Sequence, residues 1–112
     1  MPRFVILEHD HPELHWDLML EAGAALRTWR LARPPKTSGD AIDAVALPNH
    51  RLHYLDYEGP VSGGRGVVKR WDAGDYDEVD ADHVRLHGAR VRGLVRLTRG
   101  GESGWIFELG GP

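Results

Sequence analysis

The sequence predicts an all-β fold, an antiparallel barrel or sandwich with little helix, and three observations carry that reading. Its apolar residues fall in many short runs of strand length, ~4 to 8 residues, and not in long helical periods. Fourteen glycines and seven prolines among 112 residues separate those runs with turn signals. No stretch shows a convincing amphipathic helix period.

Taken in order, Phe4 to Leu7 reads as a first strand and Leu14 to Glu21 as a second, which ends at the turn signal Ala22-Gly23. Leu26 to Ala32 follows closely enough to close a hairpin with the second. Pro34-Pro35-Lys36-Thr37-Ser38-Gly39-Asp40 is a loop, because two prolines and a small polar cluster neither propagate a helix nor complete a ladder. Ala41 to Leu47 is a weaker apolar run, read as a strand. His50 to Glu58 carries aromatic residues in alternation, and Val67 to Asp72 and Tyr76 to Val79 read as two further strands. In Ser62-Gly63-Gly64-Arg65-Gly66 the glycines allow tight turns, and a hairpin turn is the preferred reading over an anion-binding loop. Val84 to Leu86, Arg90 to Leu97 and Trp105 to Leu109 complete the set, and Gly110-Gly111-Pro112 ends it.

The length supports one domain, 1–112, burying roughly two-thirds of the surface that its unfolded chain exposes. Hydrophobic residues at 41%, against 28% charged, are the balance of a globular protein and exclude intrinsic disorder. There is no cysteine, so any metal has to be held by His, Asp or Glu. No apolar run approaches the ~20 residues of a membrane span, and Met1-Pro2-Arg3-Phe4 runs too soon into a strand to be a secretory signal. A cytoplasmic monomer is the expectation. The net charge of −3 argues weakly against a nucleic-acid partner, but its distribution is uneven. No acidic residue occurs from His83 to Gly101, while Arg85, Arg90, Arg92, Arg96 and Arg99 do. On a strand from Arg90 to Leu97, Arg90, Arg92 and Arg96 share one face, readable as a solvated outer wall or as a phosphate-contacting stripe.

The densest set of metal-ligating side chains is Leu7-Glu8-His9-Asp10-His11-Pro12-Glu13-Leu14-His15-Trp16-Asp17. In an extended strand His15 and Asp17 point the same way with Cα atoms ~6.6 Å apart, close enough to share an ion. Pro12 disfavours a continuous strand, so the segment from Asp10 to Glu13 can turn and return His9 to that pair. Two histidines and one carboxylate suit a catalytic Mn, Fe or Zn better than a closed structural site. A histidine-rich turn also occurs without a metal, and spacing alone leaves both readings open. His11, His53, His83 and His87 lack partner spacing and read as surface residues, while Asp10 and Glu13 are candidates for orienting the ligand imidazoles.

The run from Phe4 to Glu21, followed by Trp29, Asn49-His50-Arg51-Leu52-His53-Tyr54, Tyr57-Glu58-Gly59, Val67-Val68-Lys69-Arg70-Trp71-Asp72-Ala73-Gly74, Leu97-Thr98-Arg99 and Trp105-Ile106-Phe107, resembles the 3′-phosphoesterase module of bacterial DNA ligase D, the end-joining ligase. The resemblance implies a β-barrel with an open active-site concavity. It also implies a divalent metal cofactor, Mn foremost with Zn, Co or Fe as alternatives. The family pattern of His, five residues, His, any residue, Asp falls on His9, His15 and Asp17, which become metal ligands and catalytic residues. His50 matches a catalytic position near the scissile phosphate, where an imidazole stabilises the transition state or assists the leaving group. Tyr54 matches a position that shapes the site, although its alternation with Leu52 also suits a core residue. Arg33 stands where the family carries a phosphate-binding Lys.

Three positions depart from the family: Met19 and Ile42 replace arginines, and Leu7 replaces a Gln. Arg51, Arg65 and Arg30 are the cations available to compensate. The implied function is removal of a 3′-phosphate or a 3′-terminal nucleotide from DNA or RNA 3′ ends in DNA repair, with a separate DNA ligase or polymerase as a partner. The alternatives are a catalytically weakened or inactive metal-containing module that binds nucleic-acid ends or repair partners, and a hydrolase of small phosphoesters.

Overall fold

A computed structural model describes residues 1–36 and 39–110 of the chain. Its strands are β1 (Arg3–His9), β2 (His15–Ala22), β3 (Ala25–Leu31), β4 (Ala41–Arg51), β5 (Gly59–Pro60), β6 (Val67–Glu78), β7 (His83–Gly88), β8 (Arg92–Arg99) and β9 (Trp105–Leu109). The only helical element among the described residues is a 3₁₀ turn, Leu52–Leu55, and no helix is long and apolar enough to cross a membrane. Thr37 and Ser38 of the expected loop, and Gly111 and Pro112 of the expected end, lie outside the described residues.

Eight strands form a closed antiparallel barrel in the order β1-β2-β3-β4-β9-β8-β7-β6, and β6 returns to pair with β1. Closure leaves no open edge in that ring, while the two-residue β5 pairs beside β6. Every strand of the ring contributes to one apolar interior, from Phe4 and Ile6 on β1 through Trp29 and Leu31 on β3 to Phe107 and Leu109 on β9. Because side chains alternate, the residues between these project to the outside. On β1 and β2 that outer face is also buried, for Val5, Leu7 and Met19 pack with Leu26, Val68 and Leu55 of the 3₁₀ turn in a second, smaller cluster. The connection from β4 to β6 thus roofs one side of the barrel, and the space at the edge of this roof is the concavity.

Three expectations are corrected. His50 to Glu58 is not one strand: β4 runs on to Arg51, the 3₁₀ turn follows, and Gly59–Pro60 is all that pairs thereafter. Tyr54 therefore owes its half-buried state to packing of the turn against the outer cluster, not to strand alternation. Val67 to Asp72 and Tyr76 to Val79 belong to the single strand β6, whose register against β1 steps from Ile6↔Asp72 to Leu7↔Arg70, leaving Trp71 as an extra residue. The last arginine-bearing strand begins at Arg92, so Arg90 lies in the preceding turn with its guanidinium 4.8 Å from the centre of the Trp71 ring.

Candidate functional site

The β1-β2 hairpin brings the ligand candidates together. His9 pairs directly with His15 across it, and Leu7 with Asp17. The intervening turn is fastened from outside, since the Asp10 carboxylate accepts the backbone N–H of Val67 at 2.8 Å. One ligand atom from each of His9, His15 and Asp17 lies within 4.8 Å of the others. Asp17 and His15 are buried and His9 is partly so.

Two backbone carbonyls orient the imidazoles. His15 Nδ1 lies 2.8 Å from the Glu13 carbonyl, and His9 Nε2 lies 2.7 Å from the Arg65 carbonyl. A carbonyl only accepts, so these nitrogens carry the protons, and in each neutral ring the opposite nitrogen presents a lone pair. Those opposite nitrogens are the ones turned to Asp17 Oδ2, His15 Nε2 at 3.1 Å and His9 Nδ1 at 3.6 Å. Asp17 Oδ1 is buried without a hydrogen-bond partner. With both rings neutral, electron pairs from two imidazoles and a carboxylate converge on one point, and either a proton shared between His15 Nε2 and Asp17 Oδ2 or a cation among the three groups offsets their repulsion. The donor set fits a divalent ion.

A cavity of ≈ 300 Å³ opens beside this cluster, with His9 and Asp17 in its wall. His50, Tyr54 and Arg65 line it as well, so three more of the residues singled out by sequence reach the same space. His50 sits near the end of β4, where its Nδ1 donates to the Pro48 carbonyl at 2.9 Å and leaves Nε2 as the free ring nitrogen. Its ring centre is 5.8 Å from that of Tyr54. Arg65 lies in the expected hairpin turn, where its Nε donates to Ser62 O at 2.7 Å and a terminal nitrogen donates to Ser62 Oγ at 3.1 Å.

Other candidates are placed elsewhere. Arg33 donates to the Ala41 carbonyl at 2.7 Å and, like Arg51, is not part of the cavity wall. Ile42 points into the barrel interior and Leu7 into the outer cluster, whereas Met19 is buried and lines the cavity. On the arginine-bearing wall, Arg96 pairs with Glu108 at 3.5 Å, and none of Arg85, Arg92 or Arg96 reaches the cavity. Glu13 orients His15 through its carbonyl, not its carboxylate.

His11, read from sequence as a surface residue, is exposed but also lines the cavity, its ring 6.5 Å from that of His9. Its place two residues from the candidate ligand His9, in the same turn, was the available signal. Arg30 has the clearest new position: it is the cross-strand partner of Asp17 and lines the cavity.

The family model described as the DNA Ligase D 3′-phosphoesterase domain matches residues 7–99. The chain is 34% identical to the multifunctional non-homologous end joining DNA repair protein LigD of Mycobacterium tuberculosis, over 92% of this chain and 15% of that protein. It is 30% identical to the multifunctional non-homologous end joining protein LigD of Mycolicibacterium smegmatis, over 93% of this chain and 16% of the relative. With LigD of Pseudomonas aeruginosa it shares 32% identity over 94% of this chain and 14% of the relative. The chain therefore spans only about one-seventh of the length of these relatives.

Proposed function

The chain belongs to the DNA ligase D 3′-phosphoesterase domain family, and on that premise we propose that it is a metal-dependent phosphoesterase acting on nucleic-acid 3′ ends in DNA repair, removing a 3′-phosphate or a 3′-terminal nucleotide. The observation that carries this reading is the convergence of the His9, His15 and Asp17 ligand atoms, with both imidazoles held by backbone carbonyls so that their second ring nitrogens meet the carboxylate. A divalent ion, Mn foremost with Zn, Co or Fe as alternatives, supplies Lewis acidity toward a phosphoester oxygen and an activated water when bound there.

The remaining work falls to the protein. His50, with its Nδ1–H committed to Pro48, has only Nε2 to offer a phosphoryl or leaving-group oxygen: as the imidazolium it donates the Nε2 proton there, and as the neutral ring it accepts one at the same atom. Tyr54 borders His50 and limits where a terminal sugar sits. Met19, Leu47, Val61 and Val68 give the cavity an apolar wall, which lowers the local dielectric and strengthens each charge interaction with the phosphate.

The test is release of phosphate from an oligonucleotide bearing a 3′-phosphate, measured with and without Mn, for the wild type, His15→Ala and Asp17→Asn. The expected outcome is metal-dependent release that falls by roughly two powers of ten or more in both variants. Equal release by wild type and variants, or none with Mn, Zn, Co or Fe, overturns the reading. A second reading, a weakened or inactive module that binds ends, is favoured by one observation: the apolar Met19 stands in the cavity wall. It predicts salt-sensitive DNA binding without turnover.

A further inference from the structure

We propose that Arg30 is the phosphate-gripping cation of this cavity, holding the non-bridging oxygens of a phosphomonoester or phosphodiester from β3. The inference rests on the cavity being a phosphoester site. Arg30 and Asp17 are directly opposite across the β2-β3 ladder, so their side chains leave the same face with Cβ atoms ~5 Å apart. Arg30 lines the main cavity with His9 and Asp17, and it lines the adjoining depression with His15. It is therefore placed against all three ligand candidates at once.

Its bonding state is the second argument. Arg30 Nε is buried without a hydrogen-bond partner, and among the described residues no carboxylate forms an ion pair with its guanidinium. A guanidinium has no acceptor capacity and is charged at every working pH, so a buried N–H on it calls for an oxygen that the protein does not supply. Asp17 Oδ1, on the opposite strand, is likewise buried and unpartnered. Two residues of one cavity wall, each with a buried and unpartnered polar atom and of opposite charge yet not paired with one another, describe a place for a ligand of both signs, a cation at Asp17 and an oxyanion at Arg30.

The other arginine of the cavity wall is held within its own loop, and Arg33, outside that wall, is bonded as well. Arg65 is tied to Ser62, and Arg33 to Ala41. The planar fork of Arg30 is the one that can take two phosphate oxygens together. On this account the missing cation at position 19 is replaced from the neighbouring strand: Met19 and Asp17 project together from β2, and Arg30 reaches the same face from β3.

The experiment titrates inorganic phosphate into the whole chain by calorimetry, with and without Mn, for wild type, Arg30→Met, Arg30→Lys and the control Arg85→Met on β7, and it measures Mn affinity and thermal stability alongside. Phosphate affinity is expected to fall roughly 10- to 100-fold in Arg30→Met, less in Arg30→Lys and not at all in Arg85→Met. Mn affinity is expected to hold or rise in Arg30→Met, since a cation has been removed beside a cation site. A merely structural role would instead lower Mn affinity, phosphate affinity and stability together. That pattern overturns the proposal, as do wild-type phosphate affinity in Arg30→Met and failure of the wild type to bind phosphate. If oligonucleotide turnover is absent while Arg30→Met alone loses phosphate, the enzymatic reading falls and the oxyanion site stands. If turnover is present and Arg30→Met binds phosphate normally, the reverse holds.

Discussion

Gly66 connects a backbone conformation to the chemistry of His9. Its φ of +76° lies in the left-handed region, and a Cβ there would stand 2.2 Å from Asp10 Oδ1 and 2.7 Å from the His11 Cβ. Gly64 has a similar φ of +68° but nothing within 4 Å of such a Cβ. Gly64→Ala is therefore expected to cost about 1 to 2 kcal/mol of backbone strain and to leave metal affinity alone. Gly66→Ala adds overpacking, for a total of about 2 to 4 kcal/mol, and it displaces the Arg65 carbonyl that fixes the His9 tautomer. Metal affinity should then drop about 10-fold or more. Urea denaturation and Mn titration of the two variants check this, and identical metal affinities would remove the carbonyl from the account. Of the candidate metal site, the sequence made the clustering residues legible and the orientation of their rings illegible. His15 and Asp17 share a face by strand period alone, whereas the groups that aim the imidazoles are main-chain carbonyls of Glu13 and Arg65, which no side-chain pattern encodes.

At the scale of elements, β6 shows why a turn-forming residue can sit inside a strand. Asp72 reads in sequence as a strand end, yet β6 passes through it because its carboxylate is turned inward and is the acceptor for the backbone N–H groups of Ala73, Ala89, Arg90 and Val91 at 2.8 to 3.2 Å. Three of those donors, Ala89, Arg90 and Val91, form the tight β7-β8 connection, and burial of Asp72 denies them water. The Gly88 contact is equally close, for a Cβ there would meet Asp72 Oδ2 at 2.2 Å. Asp72→Asn replaces one acceptor oxygen by a donor facing donors, and it is expected to destabilise the fold by about 3 kcal/mol or more in urea denaturation. Metal affinity of the folded variant should be unchanged, because the hydrogen bonds that the Asp72 carboxylate accepts run away from the β1-β2 hairpin, while its ladder pairing with Ile6 is made by backbone that the substitution keeps. A loss of metal binding in the folded state would mean that the two sides of the barrel are coupled. The misread strands share this cause. His50 to Glu58 and the break after Asp72 were decided by what packs against the chain from far along it, the outer cluster in one case and the β7-β8 turn in the other.

Across the whole molecule, the local strand runs were legible, but the pairings that make a barrel were not. β1-β2, β2-β3 and β3-β4 follow from chain order, whereas β4-β9 and the closing β1-β6 pair join segments that no local periodicity relates. Tyr76 reports on that closure. Its backbone N–H donates to the Pro2 carbonyl at 3.0 Å, and its hydroxyl donates to the Glu21 carbonyl at 2.7 Å, so one β6 residue ties the chain start and the end of β2. Burial pushes the Tyr76 phenol above its ordinary value, and the nearby Glu78 carboxylate adds to the shift. A raised value in the folded state means that the native protein keeps this proton while the unfolded chain releases it above about pH 10. The contribution is fully present below that pH, and stability falls as pH rises from there through the folded value. Tyr76→Phe is expected to be less stable by about 1 kcal/mol at neutral pH, through loss of the bond to Glu21. It has no phenol to release, so its deficit should shrink as pH is raised from 9 to 11, in the window of about one unit either side of the unfolded value. Urea midpoints of the two proteins measured across that range decide the point: curves that converge support closure through a buried phenol, and curves that stay parallel place Tyr76 outside the alkaline transition.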